Sequence, residues 1–187
     1  MTRILLFMVS CVFTHNIVLG RMLGAGALCD ESRRIETAAA LGLLVTAIMT
    51  VTSAVNWLID SLLLTPMNAA FFRLPVFMLV IGLAVAGVEL LYGNKLPVVG
   101  GHVIPLASAC AVLGASLINV EAGYGFGDAV LNGLGGGLGF LVAIVLMAGV
   151  HERIRFSRVP EPLKGFPISL ISASLMALAF MGFMGMA

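Results

Sequence analysis

Thiols and carboxylates set among apolar residues are the groups of this sequence with the most chemical potential. The cysteines are Cys11, Cys29 and Cys110, and the histidines are His15, His102 and His151. Cys110 stands among Ala107, Ser108, Ala109 and Ala111, small residues that let another backbone or a cofactor come close. It reads either as a buried cysteine acting as a small hydrophobe or as a metal ligand. Cys29, beside Asp30 and Glu31, reads either as a loop residue or as a second thiolate. Two thiolates are too few for an iron–sulfur centre, which takes four ligands, so a partner chain would have to supply the rest. An odd number of cysteines, two of them in apolar surroundings, gives no disulfide framework.

No histidine has an i, i+4 spacing to another ligand, so a histidine metal cage is not expected. His15, next to Asn16, reads as a polar contact between helices, and His102 and His151 as interfacial or hydrogen-bonded residues. Glu89 lies within an apolar stretch, where an acidic group is a functional candidate; the alternative is a headgroup-level pairing with Lys95. The run Gly133-Leu134-Gly135-Gly136-Gly137-Leu138-Gly139 has no Lys-Ser/Thr after it and is no phosphate loop. Gly133 with Gly137, and Gly135 with Gly139, have instead the small-x-x-x-small spacing of closely packed helices.

The elements that must hold these residues are membrane spans. Of 187 residues, 60% are hydrophobic and 10% charged, with a mean hydropathy of +1.12, against about 25% charged in a soluble domain. A crossing helix takes about 20 apolar residues, and six such stretches occupy 4–26, 37–59, 71–92, 98–119, 128–150 and 166–186. The expected fold is therefore an all-α integral membrane protein, one domain over 1–187. The net charge of +1 offers no basic face for nucleic acid. The first stretch, with Arg3 and Cys11, is a poor signal sequence, because His15 and Asn16 interrupt it and no small-residue cleavage site closes it. It is read as a retained span.

Positive loops stay on the cytoplasmic side. Arg33 and Arg34, Lys95, and the group Arg153, Arg155, Arg158 and Lys164 fall on alternate connections. Those seven charges outweigh Arg3 and Arg73 on the other side, so both termini are expected outside.

An internal echo runs through the chain. Thr14-His15-Asn16-Ile17-Val18-Leu19-Gly20 matches Ser108-Ala109-Cys110-Ala111-Val112-Leu113-Gly114, and Leu41-Gly42-x-Leu44-Val45 matches Leu138-Gly139-x-Leu141-Val142. Pro75 and Pro167 make a third pair. A duplicated unit of three spans inserts its second copy upside down, and such inverted repeats keep their sites near the midplane, on interrupted helices. The expected repeats are about 1–93 and 97–187, with broken helices in spans 1 and 4.

Several motifs resemble a known family. They are Asn16-x-Val18-Leu19, Met22-Leu23-Gly24, Glu36-Thr37-Ala38, Trp57-Leu58-Ile59-Asp60, Ile104-Pro105-Leu106, Cys110-Ala111-Val112-Leu113-Gly114, His151-Glu152-Arg153, Val159-Pro160-x-Pro162 and the closing Leu175-Met176-Ala177-Leu178-Ala179-Phe180-Met181-Gly182-Phe183. Together they resemble the A-type subunits of the Rnf electron-transport complexes, and are similar to the related E-type subunits of sodium-translocating NADH:quinone reductases. The resemblance covers the whole chain and is most specific in the last span.

That resemblance implies a non-catalytic subunit of a redox-driven ion translocase in a bacterial inner membrane. Its partners would be a homologous six-span subunit of opposite orientation, together with flavin and iron–sulfur subunits. Between the two homologous subunits would lie a [2Fe-2S] cluster, each contributing two cysteines, that relays electrons coupled to ferredoxin and NAD chemistry. Cys110 falls on the family's second-half cysteine. The first-half pattern, Leu-Gly-x-Cys-Pro, is written here as Leu23-Gly24-Ala25-Gly26-Ala27, so Gly26 occupies a ligand position. Either Cys29 replaces that ligand or the cluster site is incomplete or altered. Two other functions compete with this one: a small-solute or ion transporter built on inverted repeats, and an assembly subunit without a cofactor. The coupling ion, H⁺ or Na⁺, is not legible.

Overall fold

Between Ile35 and Ile59 the sequence has one charged residue, Glu36, and it sits in the first helical turn, where a negative charge favours the helix. Three threonines of this stretch are compatible with an apolar setting because their hydroxyls turn back on the helix. Thr46, Thr50 and Thr52 donate to the carbonyls of Gly42, Thr46 and Ile48 at 2.7, 2.8 and 2.6 Å. The structure, a computed structural model, describes residues 11–12, 16–24, 26, 35–66, 70–92, 104–157 and 160–182. His15, Cys29, Lys95 and His102 lie outside the described residues, as do residues 98–103 of the expected fourth span and the side chain of Glu89.

The main helices are α1 (Ile17–Arg21), α2 (Ile35–Ile59), α3 (Arg73–Tyr92), α4 (Ile104–Glu121), α5 (Phe126–Arg155) and α6 (Phe166–Met181). No strand occurs among the described residues. Helix α2 continues into a wider turn over Asp60–Leu64, and together Ile35–Leu64 and Phe126–Arg155 are long and apolar enough to cross a membrane. Shorter apolar helices cover Arg73–Val88, Ala109–Glu121 and Phe166–Met181. Helix α5 runs to Arg155 rather than stopping at the expected residue 150, and the reason is local: Arg153 and Arg155 occupy its last turn, where cations offset the carbonyl end of the helix dipole.

Short devices join the helices. The wider turn after α2 closes through Thr65, whose N–H and hydroxyl both donate to the Asp60 carbonyl. The Asp60 carboxylate accepts from Arg73 Nε at 2.7 Å, tying the end of α2 to the start of α3. Between α4 and α5 the chain reverses at Gly123, whose φ of +62° suits glycine, and Trp57 Nε1 holds this turn by donating to the Tyr124 carbonyl at 2.8 Å. Gly165, at φ +93°, opens α6, and His151 near the end of α5 is hydrogen-bonded to Ser169 of α6 at 2.7 Å. The sequence expectation for His151 included such a bond.

The most extensive helix contact is between α2 and α5, and glycine makes it possible. A methyl group at Gly137 would fall 2.7 Å from Thr46 Cα, one at Gly133 2.7 Å from Ser53 Cβ, and one at Gly42 2.9 Å from Leu141 Cα. The small-x-x-x-small reading of Gly133 and Gly137 thus corresponds to an actual close approach. Around this seam lie buried Leu41, Val45, Met49, Phe140, Ile144 and Met147, with Ile17, Val18 and Leu19 of α1 added to the same core. Large apolar residues such as Leu43, Leu79, Leu83, Leu170 and Leu178 point outward, and so extensive an outward apolar surface is foreign to a soluble monomer.

Candidate functional site

Asn16 stands immediately before α1. Its backbone is extended (φ −63°, ψ 110°) and it caps α1, accepting from Val18 N at 3.0 Å and Leu19 N at 3.1 Å. The amide nitrogen donates to Val12 O at 3.0 Å and Gly139 O at 3.1 Å. One carboxamide therefore meets backbone groups at Val12, in α1 and on α5, using its full set of two donors and two acceptor sites. Gly139 is needed beside it, since a methyl group there would stand 3.2 Å from Asn16 Nδ2. After α1, Met22 adopts a left-handed conformation (φ 55°), and Leu23 folds back over α4, close enough that a methyl group at Gly114 would fall 2.5 Å from Leu23 Cδ1.

One turn from Gly114 on α4 is Cys110. It is exposed, with Ala109 half-buried and Ala111 and Val112 buried beside it. The reading of Cys110 as a buried small hydrophobe is thereby corrected: the helix face that carries it is not covered by the described parts of this chain. Gly26, at the position where the resembled family has cysteine, is also exposed. Among the described residues Cys11 is the buried thiol, and it donates to Asn132 Oδ1 at 3.8 Å. Among the described residues no three His, Cys, Asp or Glu side chains come together as a metal-binding group. One exposed thiol fits a ligand shared with another chain, and a complete centre within this chain does not follow from the described residues.

Sequence reasoning passed over a second feature, a ladder of amides and hydroxyls buried between α2, α4 and α5. Asn132 Nδ2 donates to Asn119 Oδ1 at 2.7 Å, Asn119 Nδ2 donates to Ser53 Oγ at 2.5 Å, and Ser53 Oγ donates to Ala129 O at 2.7 Å. Beside it, Asn56 Nδ2 donates to Ser116 Oγ at 2.8 Å, and Ser116 in turn donates to Val112 O at 3.1 Å. Asn56 is 1% exposed, and its Oδ1 has no hydrogen-bond partner among the described residues. The signal was present: three asparagines, Asn56, Asn119 and Asn132, fall inside or at the edge of apolar helices, where each demands a partner. The ladder has no carboxylate, lysine or histidine, and it ties α2, α4 and α5 together through neutral groups.

A chain that is helical throughout its main described elements, apolar on its outer surface and cross-linked inside by amides, is built as an integral membrane protein. Comparison with known proteins makes the assignment particular. The family profile described as "Rnf-Nqr subunit, membrane protein" matches residues 4–187. The chain is 38% identical over 187 residues to the A-type subunit of the Na(+)-translocating ferredoxin:NAD(+) oxidoreductase complex of Acetobacterium woodii, covering 98% of this chain and 97% of that one. It is 40% identical over 190 residues to the A-type subunit of the ion-translocating oxidoreductase complex of Syntrophotalea carbinolica, covering 100% and 98%. Against the protein of the same description from Azotobacter vinelandii it is 40% identical over 191 residues, again covering 100% and 98%. The chain belongs to the Rnf-Nqr family of membrane subunits.

Proposed function

We propose that this chain is a non-catalytic membrane subunit of an Rnf-type, ion-translocating ferredoxin:NAD⁺ oxidoreductase complex, and that it carries part of an intramembrane [2Fe-2S] site shared with a homologous six-span subunit of opposite orientation. The observation that carries the reading is the exposed thiol of Cys110 in the middle of an apolar helix, among residues small enough for a second chain to approach. Such a cluster, when bound, supplies a one-electron station partway across a hydrocarbon layer about 30 Å thick. Cys110 would hold it as a thiolate, and Cys29 is the candidate for the second ligand from this chain. Asn16, through its bonds to Val12, Val18, Leu19 and Gly139, ties the start of α1 to the residues before it and to α5. The flavin and iron–sulfur subunits of the complex would exchange electrons with this site.

The same proposal covers the architecture: six spans in a bacterial inner membrane, both termini outside, and two inverted repeats broken in spans 1 and 4. Support comes from α2 and α5, the equivalent helices of the sequence echo, which make the most extensive helix contact among the described residues; inverted repeats arrange such equivalent helices about an axis in the membrane plane. The Asn16 cap supports the break in span 1.

Purification of the complete complex, with iron analysis and electron paramagnetic resonance of the reduced sample, tests the cluster. A [2Fe-2S] signal lost in Cys110→Ser, and lost or altered in Cys29→Ser, is the expected result; a full signal in Cys110→Ser removes this residue from the site. A second reading, an assembly subunit without a cofactor, draws on Gly26 in the ligand position. It requires wild-type complex with no iron attributable to the membrane subunits. The carrier reading requires solute uptake by the isolated chain.

A further inference from the structure

Nine of the ten basic residues lie outside the six apolar stretches or within the first three residues of one, and the tenth lies inside the first stretch: Arg21 ends α1. Its depth follows from its neighbours. Ile17 and Leu23, on either side of it in sequence, both lie against Gly114, the eleventh of the eighteen residues of α4. At a rise of 1.5 Å per residue, Gly114 is about 10 Å along the axis from Glu121, where α4 ends. Ile17 also reaches Gly136, the eleventh of thirty residues in α5. Arg21 therefore belongs to the interior level of the bundle, in a chain of a membrane family, yet it is exposed. Among the described residues the ion pairs are Arg73 with Asp60 and Lys164 with Glu161; Arg21 is in neither.

A guanidinium cannot lie against hydrocarbon without cost, and charged groups at this depth face protein or water and take partners. Gly20, Met22, Gly26 and Cys110 are exposed in the same neighbourhood, so the surrounding surface is small, apolar and not covered by the described residues. We propose that Arg21 is the charged anchor of a docking face for a second membrane-embedded chain, and that this partner presents a carboxylate to Arg21 at the same depth. The fit is by charge: a fixed cation in low dielectric selects an anion, and a guanidinium binds a carboxylate through two parallel hydrogen bonds. Surrounded by small residues, the guanidinium gives the partner room to deliver that group. The proposal rests on reading this chain as one subunit of a membrane complex and does not depend on the cluster.

The test uses the whole complex, with the amount of this chain that co-purifies with its partners as the readout. Arg21→Lys is expected to assemble, Arg21→Gln to assemble less, and Arg21→Glu to lose about tenfold or more, because a like charge would then oppose the partner's carboxylate. Thermal unfolding of the isolated variants in detergent separates assembly loss from misfolding. A photo-reactive amino acid in place of Met22, with Arg21 intact, is expected to form an adduct with another membrane subunit. Adducts with lipid alone, or full assembly of Arg21→Glu, overturn the proposal. An Arg21→Gln complex that assembles fully but loses an iron signal also overturns it, by assigning the charge to a metal centre. A wild-type chain recovered without partners sinks the complex reading as well, and so the two failures are told apart.

Discussion

Asparagine does opposite things at two places in this chain, and the difference is measurable. Asn132 donates to Asn119 and accepts from Cys11, so Asn132→Leu leaves Asn119 Oδ1 buried without a donor and is expected to cost about 1–2 kcal/mol. Asn56 already has an oxygen without a partner among the described residues, and Ser116 keeps its own bond to Val112 when Asn56 is removed. Asn56→Leu should therefore cost less than about 1 kcal/mol. Unfolding midpoints of the two purified variants in detergent give the order directly; a larger loss for Asn56→Leu would contradict the partner assignments. Asn16 gives a sharper contrast. Asp is as good a helix cap as Asn, but here it would turn an oxygen toward the carbonyls of Val12 and Gly139. Asn16→Asp is expected to destabilise at least as much as Asn16→Ala, whose loss of the cap alone is about 1 kcal/mol.

Among the helices, glycine is meaningful only where another backbone arrives. Gly137→Ala would set a methyl group 2.7 Å from Thr46 Cα, and Gly133→Ala the same distance from Ser53 Cβ; overpacking of this kind costs about 1–3 kcal/mol. Gly149, in the same helix, has nothing within 4 Å of the place a methyl group would take, so Gly149→Ala is expected to be neutral or slightly stabilising. Thermal unfolding of the three variants side by side decides whether the seam or the glycine content of α5 governs stability. The seam was legible beforehand, because spacing survives translation into a helix: four residues are close to one turn. The expected helix starts at 37, 71, 128 and 166 lie within two residues of Ile35, Arg73, Phe126 and Phe166. The amide ladder was not legible as a ladder, because its members come from three helices and only packing brings Ser53, Asn119 and Asn132 together. Likewise, small neighbours around Cys110 are equally compatible with burial and with exposure, and only the arrangement of helices distinguishes them.

For the whole molecule, apolar content and charge placement together predict which side each loop faces. Glu121 stands exposed at the end of α4 and Ser157 just beyond α5. In a chain lacking its native cysteines, Glu121→Cys is expected to react with a membrane-impermeant thiol reagent in intact cells and Ser157→Cys only after the cells are opened. The reverse pattern would invert the topology inferred from the positive loops. Family membership follows from the match over 4–187, while the proposed contacts with partner subunits are argued from the surfaces around Cys110 and Arg21.

The contacts of Gly42, Thr46 and Ser53 in α2 with Leu141, Gly137 and Gly133 in α5 also constrain how the molecule can move. A piston stroke of one residue advances a helix by about 1.5 Å and turns it by roughly 100°, which would swing the glycines away and drive bulkier neighbours into the facing main chain. The two longest helices are thus locked as an axle, and any rocking that accompanies a working cycle has to pivot about them instead of sliding along them.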